Sequence, residues 1–480
     1  MTKKELTVIQ MNDTHGYIQE HWEQSYQGNH SYFYRAGGYP RIAQYLKSVR
    51  EEKGEVLFLD NGDTFHGTYP VVKSEGEILP DLLNGLSVDA MTAHWDFAYG
   101  PEALEKLVAK LNYPMLAINA YEKKNDELIF PPYLITEKQG LKIGIIGIAA
   151  TIIDKVMPKG FSDGVYFTMG NEELPAYIKE LKEEKEVDLI VVLSHLGFPQ
   201  EIKLAEEVDG IDLLLSGHTH NRLTDPAEIN GSIIIQSGCH GSFLGRLDLT
   251  VEDKKIIDYQ HELVSLSEEV TKDPKMEELV AEKMTPYHER LNQMVGYTET
   301  NLHRYGVLES TMDNLLLKSM LDYSGAELAF SNGWRYGAPI PKGPIIENDL
   351  WNIIPTNPPV STTILTGREV WEMMEENLER TFAKDPYQQM GGYVKRSMGL
   401  SLYFKFENPY GQRIQELFIG NEKVQMDEEY RAVFVTIQGV PAKYGKKRKE
   451  TAKDAIEVLR DYIKEREFVS SPLIGNIKGI

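Results

Sequence analysis

Four short apolar runs in this chain each end in aspartate or histidine. One of them ends in Gly217-His218-Thr219-His220, so two imidazoles follow a single predicted strand. The other three runs end in Asp13 and His15, in Asp63, and in His195. Carboxylates and imidazoles together suit Mn²⁺, Zn²⁺ or iron, whereas Ca²⁺ takes oxygen ligands. One such motif alone is more typical of a turn or a capped strand, but four in one half of the chain predict a metal centre.

The elements around these motifs predict an α/β fold. Short, apolar, β-branched runs predict buried strands at Val56–Leu59, Ile143–Ile148, Leu189–Leu193 and Ile233–Gln236. Amphipathic patterns predict helices at Pro101–Leu111 and Glu172–Glu184. Open α/β folds place their sites at the carboxyl ends of strands. With this many ligands, we expect two metals bridged by one carboxylate.

The ordered motifs resemble the metallophosphatase domain of the 5′-nucleotidase family. They are Asn12-Asp13-Thr14-His15-Gly16, Gly62-Asp63, Ser194-His195-Leu196-Gly197 and Gly217-His218-Thr219-His220. Further on, Ser331–Gly337 and Leu365–Gly367 resemble the carboxyl-terminal substrate domain of that family. The resemblance implies a four-layer α/β/β/α sandwich followed by an α/β substrate domain. We place the sandwich at residues 1–265, a charged linker helix within 266–296, and the substrate domain at 297–480.

The resemblance also implies a ligand set. Asp13, His15, Asp63 and His220 would hold one metal. Asp63, His195 and His218 would hold the other, so that Asp63 bridges the two. We expect two divalent ions, with Mn²⁺ ahead of Zn²⁺ and iron. They would activate a hydroxide and neutralise charge on a tetrahedral oxyanion.

The segment Thr92–Gly100 departs from the family pattern, which reads Gly-Asn-His-Glu and then Phe-Asp-Tyr-Gly. A gapped alignment makes His94 the catalytic acid and replaces the asparagine ligand by Ala93. A gapless alignment makes His94 a metal ligand, puts Trp95 at the catalytic histidine and puts Ala98 at its aspartate partner. We prefer the gapless alignment, because it keeps the ligand count and loses both members of the acid pair together. In either alignment, His94 and Asp63 are the expected catalytic residues.

Three functions remain open from the sequence. The first is a dimetal phosphoesterase that acts on nucleotides or related phosphomonoesters. The second resembles the thiosulfohydrolases of bacterial sulfur oxidation, which carry a similar His-Trp motif. A general acid speeds departure of a poor leaving group by about 10²–10⁴-fold, so its loss favours a substrate with a good leaving group. The third is a metal-binding homologue without catalysis. His66 and His240 are candidate replacement acids, although each is more typical of a supporting residue.

The resemblance places three residues at the substrate, namely Asn332, Arg335 and Tyr393. Arg335 would bind an anionic oxygen through its planar guanidinium. Tyr393 follows Gly391-Gly392, like the first of two aromatic residues that hold a nucleobase in the family. The Gly-Gly-Asp segment of the second aromatic is absent, and Tyr444 is its nearest substitute. A purine sandwich is therefore not predicted.

Composition restricts the partners. The 480 residues carry a formal net charge of −22, which disfavours nucleic acid. The expected partner is a small anionic substrate, which would need local positive charge, and two metals would supply it. No signal peptide and no transmembrane run is recognised, so we expect no membrane partner. The single cysteine, Cys239, fits a cytoplasmic location. The sequence leaves the oligomeric state open.

Overall fold

The computed structural model describes residues 3–480. The chain forms two compact units, of which the first extends to Pro286 and the second begins at Tyr287. A helix at Pro274–Leu291 contains this boundary, and it lies where the charged linker helix is predicted. Within the described residues, no helix is both long and apolar enough to span a membrane.

The first unit contains two large mixed sheets. The first sheet has five strands, in the spatial order Lys255–Ser265, Phe243–Glu252, Lys4–Met11, Val56–Asp60 and Ala90–Met91. The second has six strands, in the order Ala227–Ile229, Ser232–Ile235, Leu213–Leu215, Leu189–Ser194, Leu141–Ile148 and Tyr133–Lys138. The last three strands of the first sheet are parallel to one another, as are the four middle strands of the second. Antiparallel strands close the remaining edges.

The two sheets pack face to face through an apolar core. Leu57 and Leu59 of the first sheet belong to the same buried cluster as Val191 and Leu193 of the second. Side chains alternate between the faces of a strand, so Ile190 and Val192 point to the other side. That side packs on buried residues of the helices Leu174–Lys179 and Phe198–Glu207.

A helix at Tyr39–Lys53 packs against strand Val56–Asp60 of the first sheet. Its buried residues include Ile42, Leu46 and Val49, which recur at helical spacing. The layers are therefore helix, sheet, sheet and helix, and the predicted four-layer sandwich is confirmed.

Shorter elements complete the first unit. Its other helices are Tyr69–Lys73, Pro80–Leu86, Pro101–Val108 and Ile153–Val156. Single helical turns lie at Trp95–Tyr99, Lys159–Ser162 and Glu180–Glu184. Two small ribbons pair His21–Gln27 with His30–Ala36, and Ala120–Glu122 with Val165–Phe167.

The second unit is also α/β. Its five-stranded sheet has the order Arg396–Met398, Leu328–Ser331, Glu429–Val435, Pro359–Thr366 and Lys446–Asp454. A four-stranded sheet follows the order Glu422–Lys423, Ile414–Ile419, Leu400–Phe404 and Ile477–Gly479, and Met294–Thr298 pairs with Gly343–Ile346. The helices are Thr311–Ser324, Glu347–Ile353, Gly367–Phe382, Thr436–Gly439 and Ala455–Lys464, with a helical turn at Pro386–Gln388.

Helix starts in the second unit follow from local capping. Ser310 accepts a hydrogen bond from the Asp313 amide, and Thr366 accepts one from the Glu369 amide. The Thr366 amide in turn donates to the Glu369 carboxylate, which completes a capping box. These caps fix where two of the longest helices begin.

Candidate metal centre

Parallel strands carry the predicted metal ligands to one edge of the sandwich. In the first sheet, Lys4–Met11, Val56–Asp60 and Ala90–Met91 lead into Asp13 and His15, Asp63, and His94. In the second sheet, Leu189–Ser194 and Leu213–Leu215 lead into His195, and into His218 and His220. All five strands deliver ligands from their carboxyl ends, as expected for an α/β site.

Seven side chains form two four-donor groups that share Asp63. The first group is Asp13, His15, Asp63 and His220, and the second is Asp63, His94, His195 and His218. Within each group, one ligand atom from every residue lies within 4.8 Å of the others. The structure thus brings together every residue predicted as a ligand.

Individual distances show how closely the donors converge on Asp63. Its carboxylate lies 3.1 Å from Nδ1 of His94 and 3.2 Å from Nε2 of His195. The Nε2 atom of His15 is 3.5 Å away. A carboxylate shared by donors from both groups is suited to bridge two cations.

The histidine nitrogens fit a cation better than they fit hydrogen bonds to one another. Nε2 of His15 and Nε2 of His220 approach to 3.3 Å, which brings two ring nitrogens to one point. Nδ1 of His15 faces the His66 carbonyl at 3.2 Å, and Nδ1 of His195 faces the Asn61 carbonyl at 2.6 Å. When Nδ1 donates its proton to a carbonyl, the Nε2 lone pair of the same ring is available to a metal. The donor set therefore fits two divalent ions.

The backbone at the donor residues is strained. Asp13, His15, Asp63, His218 and His220 have φ values of 51°, 47°, 56°, 69° and 57°, in the left-handed region. Residues other than glycine rarely adopt this region, and such strain is concentrated at functional sites. The turns after the strands therefore hold these side chains in orientations that ordinary loop geometry would not give.

Burial and charge act in opposite directions on two of the ligands. Burial lowers the pKa of His15 to about 3, so its ring stays neutral at pH 7. Burial also disfavours charge on His195, but the Asp63 and Asp13 carboxylates outweigh it and raise its pKa to about 10. A metal must displace a proton from such a histidine, which makes metal binding depend on pH.

Two supporting residues were missed by the sequence reasoning. Asp96, fully buried, accepts four backbone hydrogen bonds from the segments that carry Asp63 and His94. Asn61 donates to the carbonyls of Ser194 and Leu215, at the ends of two strands of the other sheet. The sequence signal for Asp96 was its position at the glutamate of the family's Gly-Asn-His-Glu pattern in the gapless alignment.

In the gapless alignment, Trp95 stands at the family's catalytic histidine. The partly exposed Trp95 ring stacks on His66, with ring centres 4.8 Å apart and an angle of 29° between the planes. The Trp95 amide donates to Asp63 at 2.6 Å, so the residue lies directly beside the donor groups. An indole N–H can donate a hydrogen bond, but it does not supply a proton to a leaving group.

A third set of possible ligands lies nearby. His21, Glu23 and His240 are buried and offer donor atoms within 4.8 Å of one another. Arg222 forms an ion pair with Glu23 at 2.7 Å, and Nε2 of His21 lies 2.9 Å from the Ser242 hydroxyl. The guanidinium already supplies the positive charge at this carboxylate, so we assign no metal here.

The predicted substrate residues lie on two loops of the second unit. Arg335 donates to the Gly391 carbonyl, and its guanidinium carbon lies 5.7 Å from the centre of the Tyr393 ring. The Tyr393 hydroxyl donates to the Gly333 carbonyl at 3.0 Å. Asn332, like Arg335, is partly exposed on the first loop. The two loops are thus joined, with Arg335 against Tyr393.

Other aromatic residues near these loops are buried, namely Trp334 and Tyr336. Tyr444, the nearest substitute for the second aromatic residue, lies in an apolar cluster, and its hydroxyl donates to Glu376 at 3.1 Å. Tyr444 therefore packs in the core and does not present an open ring face to a nucleobase.

Two sequence families match this chain. Residues 6–222 match the family described as calcineurin-like phosphoesterase, and residues 292–436 match the 5′-nucleotidase C-terminal domain. The trifunctional nucleotide phosphoesterase protein YfkN of Bacillus subtilis is 24% identical over 482 residues, or 89% of this chain. The chain spans only 31% of that protein. The 5′-nucleotidase of Vibrio vulnificus is also 24% identical, over 90% of this chain and 84% of its own length.

Solved structures share the fold. The sulfate thiohydrolase SoxB of Thermus thermophilus superposes with a TM-score of 0.92 at 23% identity, and the match covers 99% of this chain and 96% of SoxB. A 5′-nucleotidase precursor from the same species gives a TM-score of 0.86 at 24% identity, over 99% of both chains.

The sandwich and its two donor groups define the class, which is that of metal-dependent hydrolases with a calcineurin-like phosphoesterase domain. A 5′-nucleotidase C-terminal domain follows it, so the chain carries both of the domains that the resemblance to the 5′-nucleotidase family predicted. The predicted domain types and the fold class are both confirmed.

Proposed function

We propose that this protein is a dimetal phosphoesterase that hydrolyses nucleotides or related small phosphomonoesters. The observation that carries the proposal is the pair of four-donor groups that share Asp63. Two bound divalent ions would supply Lewis acidity, which activates water and neutralises charge on the reacting phosphoryl group. Names of relatives such as the V. vulnificus 5′-nucleotidase support nucleotides as the substrate class.

The residues of the centre would have distinct roles. Asp63 would bridge the two ions and keep them close despite their repulsion. His94 would complete the second group, and its 3.1 Å approach to Asp63 supports the gapless alignment. The carbonyls of His66 and Asn61 would keep His15 and His195 in the tautomer that binds metal.

We propose Mn²⁺ for both positions, with Zn²⁺ or iron as alternatives. The mixed set of carboxylates and imidazoles supports these borderline ions over Ca²⁺. We also propose a cytoplasmic location, supported by the single, buried Cys239.

Arg335 and Tyr393 are proposed to contact the substrate, together with Asn332. A guanidinium that is partly exposed and lies against an aromatic ring is suited to bind an anionic oxygen. A small anionic molecule is therefore the proposed partner.

A second candidate function is hydrolysis of a sulfur ester or another substrate with a good leaving group. Trp95 and Ala98 favour it, because neither can donate or orient a catalytic proton. Such a substrate would leave without protonation, so the absence of an acid would cost little.

A turnover screen with added Mn²⁺ distinguishes the candidates. It compares nucleoside 5′-monophosphates, p-nitrophenyl phosphate and a thiosulfonate ester as substrates. We expect hydrolysis of the nucleotides. Turnover of only the activated phosphate or the sulfur ester would overturn the nucleotide assignment and support the second candidate. No turnover with two metals bound would indicate a binding protein without catalysis.

A further inference from the structure

We propose that Asp96 is a positioning residue that sets the geometry between the bridging Asp63 and His94. The inference rests on the metal centre proposed above. Asp96 itself lies behind the donor groups and is fully buried, with 0% of its surface exposed. It is therefore placed to act through the backbone of its neighbours.

One carboxylate binds four backbone amides from two loops. Oδ2 accepts hydrogen bonds from the amides of Asp63 and His94, each at 2.9 Å. Oδ1 accepts from the amides of Thr64 and Phe65, also at 2.9 Å each. Oδ2 thus binds the backbone of two ligands, Asp63 on one loop and His94 on the other. Hydrogen bonds to a charged acceptor are shorter and stronger than neutral ones.

Such support matters here because the backbone of Asp63 is strained and the two loops are closely packed. Asp63 has φ 56°, in the left-handed region. Gly62 has φ 86°, and a Cβ atom there would lie 2.6 Å from the Thr92 carbonyl oxygen. The loop of Asp63 therefore lies directly on the loop that leads to His94, and Asp96 joins the two.

The same support extends to the first donor group. The His15 amide donates to the Asp63 carbonyl at 2.7 Å, and the Asp13 amide donates to the Gly62 carbonyl at 3.0 Å. A shift of the segment bound by Asp96 would thus move ligands of both groups. We infer that Asp96 controls the distance between the two metals, not only the stability of one loop.

Replacement by asparagine tests this role with almost no change of shape. A carboxamide keeps one acceptor oxygen but turns its NH₂ group toward two of the four amides. Loss of an outer partner of a metal ligand typically weakens metal binding by about 10–100-fold. We expect Asp96→Asn to lower the affinity for at least one Mn²⁺ by such a factor.

The experiment titrates the full-length chain with Mn²⁺ and records the electron paramagnetic resonance spectrum. Two bridged Mn²⁺ ions give an exchange-coupled signal, which we expect to be lost or altered in Asp96→Asn. The matched control is Asp212→Asn, which alters another carboxylate that accepts from a backbone amide, that of Ile190 at 2.7 Å, at a partly buried position away from the donor groups. A general loss of stability would affect both variants, whereas the coupling would change only in Asp96→Asn.

The outcomes separate this inference from the proposed function. A wild-type chain that binds fewer than two Mn²⁺ would overturn the metal centre itself. Two coupled ions in the wild type and an unchanged affinity and coupling in Asp96→Asn would overturn the positioning role. If Asp96→Asn does not fold, Asp96→Glu keeps the charge one methylene further out. It is expected to bind two ions with altered coupling, and wild-type coupling in that variant would refute the inference.

Discussion

His94 is the residue at which this chain departs most clearly from the family pattern. Its ring centre lies 5.0 Å from that of His195 and 4.9 Å from that of His218. In the gapless alignment, an imidazole takes the place of an amide oxygen in the second donor group. The exchange makes that group richer in nitrogen, with three histidines and one aspartate.

His94→Ala is expected to reduce occupancy of the second metal position, because it removes one of four donors. Metal content after dialysis against Mn²⁺, measured by mass spectrometry, checks this. His30→Ala, an exposed histidine of the same unit, is the control and should leave the metal content unchanged. Two tightly bound metals in His94→Ala would show that the gapless alignment is wrong.

Lys395 gives a prediction that does not involve metal. Burial, with help from Arg380, lowers its pKa to about 7, although Glu376 acts in the opposite direction. Between pH 7 and 10.5 the unfolded chain therefore binds the proton that the folded chain has released. The free energy of unfolding contributed at this position rises with pH through that window, at up to about 1.4 kcal/mol per pH unit, and is constant below it.

Lys395→Met removes this dependence, so the wild type should gain stability relative to the variant as the pH rises from 7 to 9. Urea unfolding at three pH values in that range measures the difference. Lys478→Met, which removes an exposed lysine from the same unit, serves as the control. A difference that does not change with pH would contradict the prediction.

The ligands could be read from the sequence, but their supports could not. Asp13, His15 and His195 stand in local motifs, each a few residues beyond an apolar strand. Apart from the His94 amide, two residues from Asp96, the backbone atoms that Asp96 and Asn61 bind lie about 30 to more than 150 residues away in the chain. Such contacts follow from the packed fold and leave no periodic pattern in the sequence.

At the level of elements, the short predicted strands correspond closely to those found. Val56–Asp60 and Leu189–Ser194 are each only one residue longer than predicted. They were easy to recognise because buried parallel strands are almost continuously apolar. The predicted helix from Glu172 to Glu184 is instead a short helix followed by a wider turn. The ribbon His21–Ala36 was missed, since its polar and aromatic residues do not alternate in the way a half-buried strand does.

Asn61 joins the two sheets at the edge where the donors lie. It follows a strand of the first sheet and binds carbonyls that end two strands of the second. Asn61→Ala leaves those buried carbonyls without this donor, which we expect to cost about 1–3 kcal/mol. The cost would appear as a lower midpoint of urea unfolding.

The control for this change is Asn125→Ala, because the exposed Asn125 side chain donates to Glu127 at 2.7 Å and its φ lies outside the left-handed region. Surface substitutions of this kind usually change stability by less than about 0.5 kcal/mol. Equal effects from the two alanine variants would show that the sheets do not depend on Asn61.

For the whole molecule, the division into two units has a direct test. All seven donors lie in the unit that extends to Pro286, and the candidate substrate residues lie in the other. A fragment that ends at Leu291 keeps the boundary helix complete. We expect it to fold and to bind two Mn²⁺ ions, since each unit has its own apolar core.

Circular dichroism and metal analysis of this fragment provide the measurement, with the full-length chain as the reference. The fragment should hydrolyse p-nitrophenyl phosphate but lose its preference among substrates. A fragment that folds but binds no metal would mean that the second unit is needed to form the centre.

The left-handed backbone at the donor positions also restricts how this centre can evolve. Apart from glycine, asparagine, aspartate and histidine are the residues that enter this region most readily, and β-branched residues are disfavoured. Lineages that change their metal would therefore exchange ligands most readily among these residues at positions such as Asp63 and His218. Other ligand types would carry an added conformational cost there, so drift in metal preference is biased by backbone conformation as well as by chemistry.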